Sequence, residues 1–297
     1  MAAYLPIELV GEIWRVAAEL FIETEHRTVL NIAAACTIGY HAAIPVIYRT
    51  LLMTHDGAEL VMRIFNTDFI SGSPTLSASP AQRLCPLVRR LCAFKVPDGL
   101  NTDDLKYLTG LEMIWDSLDS FLLAPLAPTL THLFVYTTNW PQRIPSTLTH
   151  VSIYCFFGSD WEVRRNKLRA YTVDTLPEGI THFALSFCYP LAQELAAELD
   201  VLMQFILARK SIKIFCIWLF GDAIEDLNYR QLLCAIATLH VDDRRRIQIW
   251  RDTRIFPAGS REIKLAAEMD AVAGRTIWTE ARPVTQAELT AATSLHA

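Results

Sequence analysis

One short pattern recurs along the chain: LTHLFVY at residues 130–136, LTHVSIY at 148–154 and ITHFALS at 180–186. Each has an apolar residue, Thr-His, and then alternating apolar positions, the period-two signature of a β-strand. Related runs stand at 88–94 (VRRLCAF), 111–117 (LEMIWDS), 212–218 (IKIFCIW) and 244–250 (RRRIQIW). Their fourth positions, Leu91, Ile114, Leu133, Val151, Phe183, Phe215 and Ile247, are spaced by 23, 19, 18, 32, 32 and 32 residues. An interval of 32 holds a strand, a helix and two turns, whereas the shorter intervals leave room for tight connections only.

Amphipathic helical patterns fill two of the long intervals, LAQELAAELDVLMQFILARK from Leu191 and DAIEDLNYRQLLCAIATL from Asp222. In the first, Leu191, Leu195, Leu199 and Leu202 share a face with Phe205 and Ile206. A strand followed by a helix at constant period predicts an α/β solenoid with a parallel sheet and helices on its convex side. The strand-like LRAYTV at 168–173 has no assigned place in this array. A helix over residues 260–273 is expected to cap the last repeat, with the final residues frayed.

In a parallel ladder the fourth and sixth positions point into the core, and the third, fifth and seventh point to the opposite, concave face. That face is expected to carry His132, His150 and His182 in one column and Tyr136, Tyr154, Trp218 and Trp250 in another, with Phe134 between them. Aromatic side chains with a polar handle suit a partner-binding surface. The same column would equally be filled by a loop or terminal extension lying over it.

The first fifty residues read differently. Pro6 opens an amphipathic helical pattern through Ile7, Leu9, Val10, Ile13 and Trp14, a position where a missing N–H costs nothing. A second helical pattern spans residues 29–36 and a third 40–48, with Pro45 expected as a kink or break. A further helix is expected over 56–70, and SGSPTLSASPAQ at 71–82 reads as a solvated linker.

LPIELVGEI at 5–13, VLNIAAAC at 29–36 and YHAAIPVIYRTLLM at 40–53 together resemble an F-box, in its order and spacing. Gly39, Tyr40 and His41 stand where many members of that family have a tryptophan. Residues 87–250 resemble a degenerate leucine-rich repeat array, notably in PSTLTHVSI at 145–153 and LPEGITHFAL at 176–185, although the family's strand-closing asparagine is missing. The domain reading is an F-box-like helical domain at 1–54, a helix and linker at 55–86, the repeats at 87–257, and a capping helix and tail at 258–297.

These resemblances imply a substrate-recruiting adaptor of a cullin-RING (SCF-type) ubiquitin ligase. Leu5, Pro6, Leu9, Ile13, Leu30 and Cys36 match the family's docking pattern for the Skp-type subunit, and the repeat face would hold an unidentified target protein. The alternative is a non-catalytic binding solenoid whose F-box-like helices only cap the repeats.

Composition narrows the other classes. With 27 basic and 32 acidic residues the formal charge is −5, so no global positive field draws the chain to nucleic acid or to anionic lipid. Arg244, Arg245 and Arg246 follow Asp242 and Asp243, which reads as a salt-bridged strand entry. The 7 cysteines are odd in number and include no CxxC pair, which fits a reducing compartment, cytosol or nucleus. No secretory signal is expected at the N-terminus, and the longest apolar run, 214–220, is too short to span a bilayer. Neither GxSxG, HExxH nor a phosphate-cradling glycine loop occurs, so no catalytic residue and no cofactor are assigned. The histidine column has no matching cysteine or carboxylate, so it reads as a repeated structural position and not as a metal site.

Overall fold

A computed structural model describes residues 6–21, 26–53, 88–93, 108–113, 128–135, 144–155, 176–187, 203–219, 226–252 and 276–294. The expected helices at 56–70 and 260–273, the linker at 71–82 and the strand-like 168–173 lie outside them.

Three helices open the chain: α1 (Ile7–Phe21), α2 (His26–Ala35) and α3 (Thr37–Ile47). Pro6 precedes α1, and its carbonyl accepts the Val10 N–H at 3.1 Å. Cys36 adopts an extended conformation between α2 and α3, and its Sγ accepts the Gly39 N–H at 3.3 Å, an N-cap contact. Pro45 lies inside α3, which runs on to Ile47 instead of breaking there. Ala18, Val29, Ile32 and Ala43 form the core of this unit, with Trp14, Ala17 and Val46 packed against it. At Gly39 a Cβ would stand 2.3 Å from the Ile32 carbonyl oxygen, so the close approach of α3 to α2 requires glycine.

Among the described residues the sheet has nine strands in sequential order. They are β1 (Thr50–Met53), β2 (Arg90–Ala93), β3 (Gly110–Met113), β4 (His132–Val135), β5 (His150–Cys155), β6 (His182–Phe187), β7 (Ile214–Leu219), β8 (Ile247–Arg251) and β9 (Arg282–Pro283). All pairings from β1 to β8 are parallel, and β9 is antiparallel to β8. The chain is therefore α/β, with three N-terminal helices and a mostly parallel sheet. Residues 50–53, quoted from sequence within the F-box resemblance and given no strand, form the sheet's first strand, paired with β2.

Register fixes one residue per rung. Leu91, Leu111, Leu133, Val151, Phe183, Phe215 and Ile247 stand opposite one another in succession. The sequence reading placed Ile114 in this column, and the structure puts Leu111 there, three residues earlier. The reason is local: Leu108 then fills the apolar first position and Thr109 the threonine position, so LTGL at 108–111 matches LTHL at 130–133. Leu108 is fully buried, like Val88, Leu130, Leu148 and Ile212 at the equivalent place.

Threonine hydroxyls stitch the strand entries together. Oγ1 of Thr109 donates to the Arg89 carbonyl at 3.0 Å and that of Thr131 to Thr109 at 3.1 Å. Thr149 then donates to Thr131 at 3.3 Å and Thr181 to Thr149 at 3.4 Å. These pairs are separated by 20, 22, 18 and 32 residues, the spacing of the rungs themselves.

One face of the sheet buries Leu91, Leu133, Val151, Phe183, Phe215 and Ile247 together with Ile153, Leu185, Ile217 and Ile249. Against it pack Met203, Ile206 and Leu207 from the helical residues 203–208, and Leu232, Leu233 and Ile236 from α4 (Asp226–Thr238). After α4 comes the short α5 (Val241–Arg244), whose N-cap is His240. Arg246 holds this corner: its guanidinium donates to the carbonyls of Leu207 (2.7 Å), Arg209 (2.8 Å) and Ile212, and to Asp243 at 2.9 Å. The arginine run is thus a structural brace at its last member.

The C-terminal segment wraps the sheet's last edge. Helix α6 (Ile277–Glu280) contacts β7, β9 pairs with β8, and α7 (Gln286–Ser294) packs on α4, burying Leu289 and Ala292 in the sheet's core. This covers an edge that would otherwise offer unpaired backbone groups. Glu288 is the clasp. It accepts hydrogen bonds from Arg282 at 2.7 Å, Tyr229 Oη at 3.1 Å, and both the Thr285 hydroxyl (2.7 Å) and N–H (2.9 Å). Arg282 above all, together with Thr285 and Tyr229, holds the Glu288 carboxyl down to about 2.

Two expectations follow. Phe215→Ala, at a fully buried ring in the middle of the ladder, should lower unfolding free energy by about 3–5 kcal/mol in urea titration. Glu288→Gln should lower the thermal midpoint at pH 7 by about 2–4 °C, the size of roughly 1 kcal/mol for a partly exposed cluster. Because the folded carboxyl is held below its ordinary value of 4.5, the clasp's contribution is complete above that pH and fades as pH falls towards about 2. The difference between variant and wild type should shrink over that range.

Candidate functional site

Two surfaces carry the residues singled out from the sequence. The first is α1. Its inward side, with Trp14, Ala17 and Ala18, packs on α2 and α3. Its polar stripe is Glu8, Glu12, Arg15 and Glu19, where Arg15 donates to Glu12 at 2.9 Å and to Glu19 at 2.6 Å. Between these lies a third stripe, Leu9, Ile13, Val16 and Leu20, at the spacing that places side chains along one helix face.

All four are exposed: Leu9 by 50%, Ile13 by 55%, Val16 by 42% and Leu20 by 68%. Leu30 on α2 and Tyr40 on α3 are exposed as well, and so is Pro6. Leu5 lies outside the described residues, and Cys36 serves as the cap of α3. A row of apolar side chains left in water next to a packed core is the form of an interaction surface. Val16, read from sequence as part of the helical pattern but not as a docking residue, and Leu20, not singled out at all, continue the heptad-like spacing from Leu9 and Ile13.

The second surface is the sheet face turned away from α4. His132, His150 and His182 do form one column, opposite each other in the register. Their rings stack in parallel, with centroids 4.1 Å apart for His132 and His150 and 4.0 Å for His150 and His182. In each case the neighbouring threonine Oγ1 is 2.8 Å from the imidazole Nδ1. Each hydroxyl also stands 3.1–3.4 Å from the preceding strand's carbonyl. Its single hydrogen serves either that carbonyl or Nδ1, and the choice sets the tautomer of the ring.

Burial, with the neighbouring rings His132 and His182, pushes His150 down to about 3. His182 is also lowered, by burial first and then by the Lys213 charge. Both rings are thus neutral at pH 7. Parallel stacking points their lone pairs side by side, and among the described residues no group of three His, Cys, Asp or Glu is placed to hold a metal ion.

Trp278, on α6, meets this column edge to face, 5.3 Å from His150 and 5.7 Å from His182. The sequence reading missed it, although a tryptophan between Thr276 and Thr279 in an otherwise polar segment was a usable signal. Thr276 N–H donates to Thr279 Oγ1 at 2.9 Å, which sets the start of α6, and Ile277 beside Trp278 is buried.

The two described side chains of the aromatic column, Trp218 and Trp250, pack on each other. Trp218 is only 6% exposed and stacks on Trp250 at 4.5 Å with planes 9° apart. Phe134 approaches Trp218 edge-on at 6.4 Å, over the small buried side chains Ser152, Ala184 and Ser186 of the strands between. Among the described side chains there, Trp250 and Phe134 are half-buried and His132 is exposed. Tyr136 lies outside the described residues, and so does the side chain of Tyr154, whose backbone is in β5.

Cys216, on the same face, is fully buried, and its thiol is pushed up to about 12 by that burial, far from a thiolate at neutral pH. Among the described residues Cys36, Cys216 and Cys234 are free thiols, and no helix is long and apolar enough to cross a membrane.

Comparison of the chain with family models, with curated proteins and with solved structures found no match.

The protonation state can be checked directly. Ring 15N NMR should report His150 and His182 as neutral imidazoles at pH 7 and show which ring nitrogen of each carries its hydrogen.

Proposed function

We propose that the chain is a non-catalytic recruiting adaptor of a cullin-RING ubiquitin ligase. In this reading α1–α3 form a divergent F-box that docks on the Skp-type subunit, and the parallel sheet is an irregular leucine-rich-repeat-like solenoid whose helix-free face, or a part of it, recruits a target protein. The observation that carries the reading is the exposed Leu9, Ile13, Val16 and Leu20 stripe on a helix whose other side is packed. A unit of three short helices has little interior, and an uncovered apolar row beside it calls for a partner helix or groove.

The resemblance of residues 5–53 to an F-box supports the identity of that partner. The single-residue-per-rung register, with the Thr149-to-Thr181 step at 32 residues, supports a repeat array. The helices at 203–208 and α4, on one side of the sheet, fit the same architecture.

A second reading has an observation of its own. The chain passes from α3 into β1 within three residues, and Arg89 N–H donates to the Arg49 carbonyl at 2.9 Å, so the helical unit adjoins the first rung. If the helices were only a cap, deleting them would unfold the sheet and no adaptor would bind.

The deciding experiment is pull-down and titration with a purified Skp-type subunit. Wild type should bind at micromolar concentration or tighter. Leu9→Glu with Ile13→Glu should reduce binding at least tenfold without lowering the thermal midpoint, because both side chains are exposed in the free chain. Absence of wild-type binding at micromolar concentration would overturn the adaptor reading.

A further inference from the structure

The column of stacked histidines and the C-terminal segment that touches it form one unit, and neither the docking stripe nor the repeat architecture requires it. Three imidazoles stand face to face at 4.0–4.1 Å, each with Nδ1 engaged by a threonine hydroxyl. A proton added to one ring places its charge within van der Waals distance of the next. Like charges so close disfavour one another. The Lys213 charge, at the entry to β7, adds to the repulsion at His182. On the covering side, Glu280 is the acidic residue of α6, and Glu178 precedes β6 in the turn between the strands.

Trp278 bridges His150 and His182, and Ile277 is buried beside it, so α6 meets this face through those contacts. Beyond α6 the chain is fastened separately, through β9 on β8 and through Glu288. The covering segment therefore has two attachments of different chemistry.

We propose that His132, His150, His182 and Trp278 form an acid-sensitive latch, in which proton uptake by the stacked rings releases the 276–280 segment from the sheet and uncovers the histidine face. Release of the segment returns the rings to water and lets their values rise towards the ordinary histidine value near 6.5. The suppressed protonation of His150 and His182 in the closed form supplies the linkage. Between about 6.5 and its closed-form value of about 3, His150 favours opening by about tenfold per pH unit, and His182 adds to this in the same direction. The closed form has its full stability above about 6.5 and is progressively weakened below it. Glu288 titrates only below 4.5, so the latch opens while the clasp at α7 remains closed.

The test is hydrogen–deuterium exchange on the full chain at pH 7.5 and pH 5.0, corrected for intrinsic exchange rates. Protection of residues 276–281 should fall at least tenfold, while β7 amides keep theirs. In His150→Asn with His182→Asn, whose amide can still donate to the threonine Oγ1, the change should drop below about threefold. Protection that does not depend on pH in wild type, a pH dependence in the double variant equal to that of wild type, or simultaneous loss across β7 would each overturn the latch. A measurement on wild type alone stands beside it: the ring 15N titrations of His150 and His182 must share a midpoint with release of the segment, and separate midpoints overturn the proposal.

Discussion

The parallel ladder is the constraint on which the remaining structure depends. Because side chains alternate across a strand, a slip of one residue between β5 and β6 would turn Phe183 and Leu185 from the core to the opposite face and bring His182 inward. Hydrophobic burial resists that slip on one side and the threonine hydroxyls resist it at the strand entry. Thr149 and Thr181 each use backbone N–H and side-chain O–H on a single carbonyl of the preceding rung. The same two residues orient the histidines. Register, core and imidazole orientation are therefore set by one dipeptide, and the histidines recur because the threonine-histidine step recurs.

Much of this was legible in the chain, for identifiable reasons. Alternation in LTHLFV and its relatives located β4 to β8, since a run buried on one face by large residues leaves a clear period of two. The error at Ile114 came from taking LEMIW as the unit. LTGL was the better match, but glycine in place of histidine at residue 110 concealed it. β1 was hidden for a different reason. The helix end near Tyr48 was read, but Thr50 to Met53 is too short to write a period of two, and the strand exists through its pairing with β2. Helix α7 was hard to see because it buries only Leu289 and Ala292 and so writes little periodicity.

Burial of the aromatic column required information that runs between strands. Sequence can list Trp218 at an outward position, but its exposure depends on what its neighbours on other rungs leave open. Ser152, Ala184 and Ser186 are small, and all three are buried. Their size lets Phe134 and Trp218 approach across β5 and β6, and Trp250 completes the cover from β8. Ser152 and Ser186 bury hydroxyl groups with no hydrogen-bond partner among the described residues. Such groups cost free energy unless packing offsets them. Here the adjacent aromatic surfaces are the offset: the face is closed by dispersion contacts and area burial, and a serine is tolerated there for its volume.

That closure bears on where a partner would meet this chain. Residues on α1 expose apolar side chains that nothing in the fold uses, whereas the equivalent side chains of the sheet face are already engaged by one another and by Trp278. An occupant of α1 gains the full burial of Leu9, Ile13, Val16 and Leu20 without displacing a protein contact. An occupant of the histidine column must first remove an indole. Affinity at the second surface is then reduced by the free energy of that contact, in proportion to how rarely the segment is open. The α1 stripe thus suits constitutive assembly. The sheet face suits an interaction conditional on the position of its own C-terminal segment.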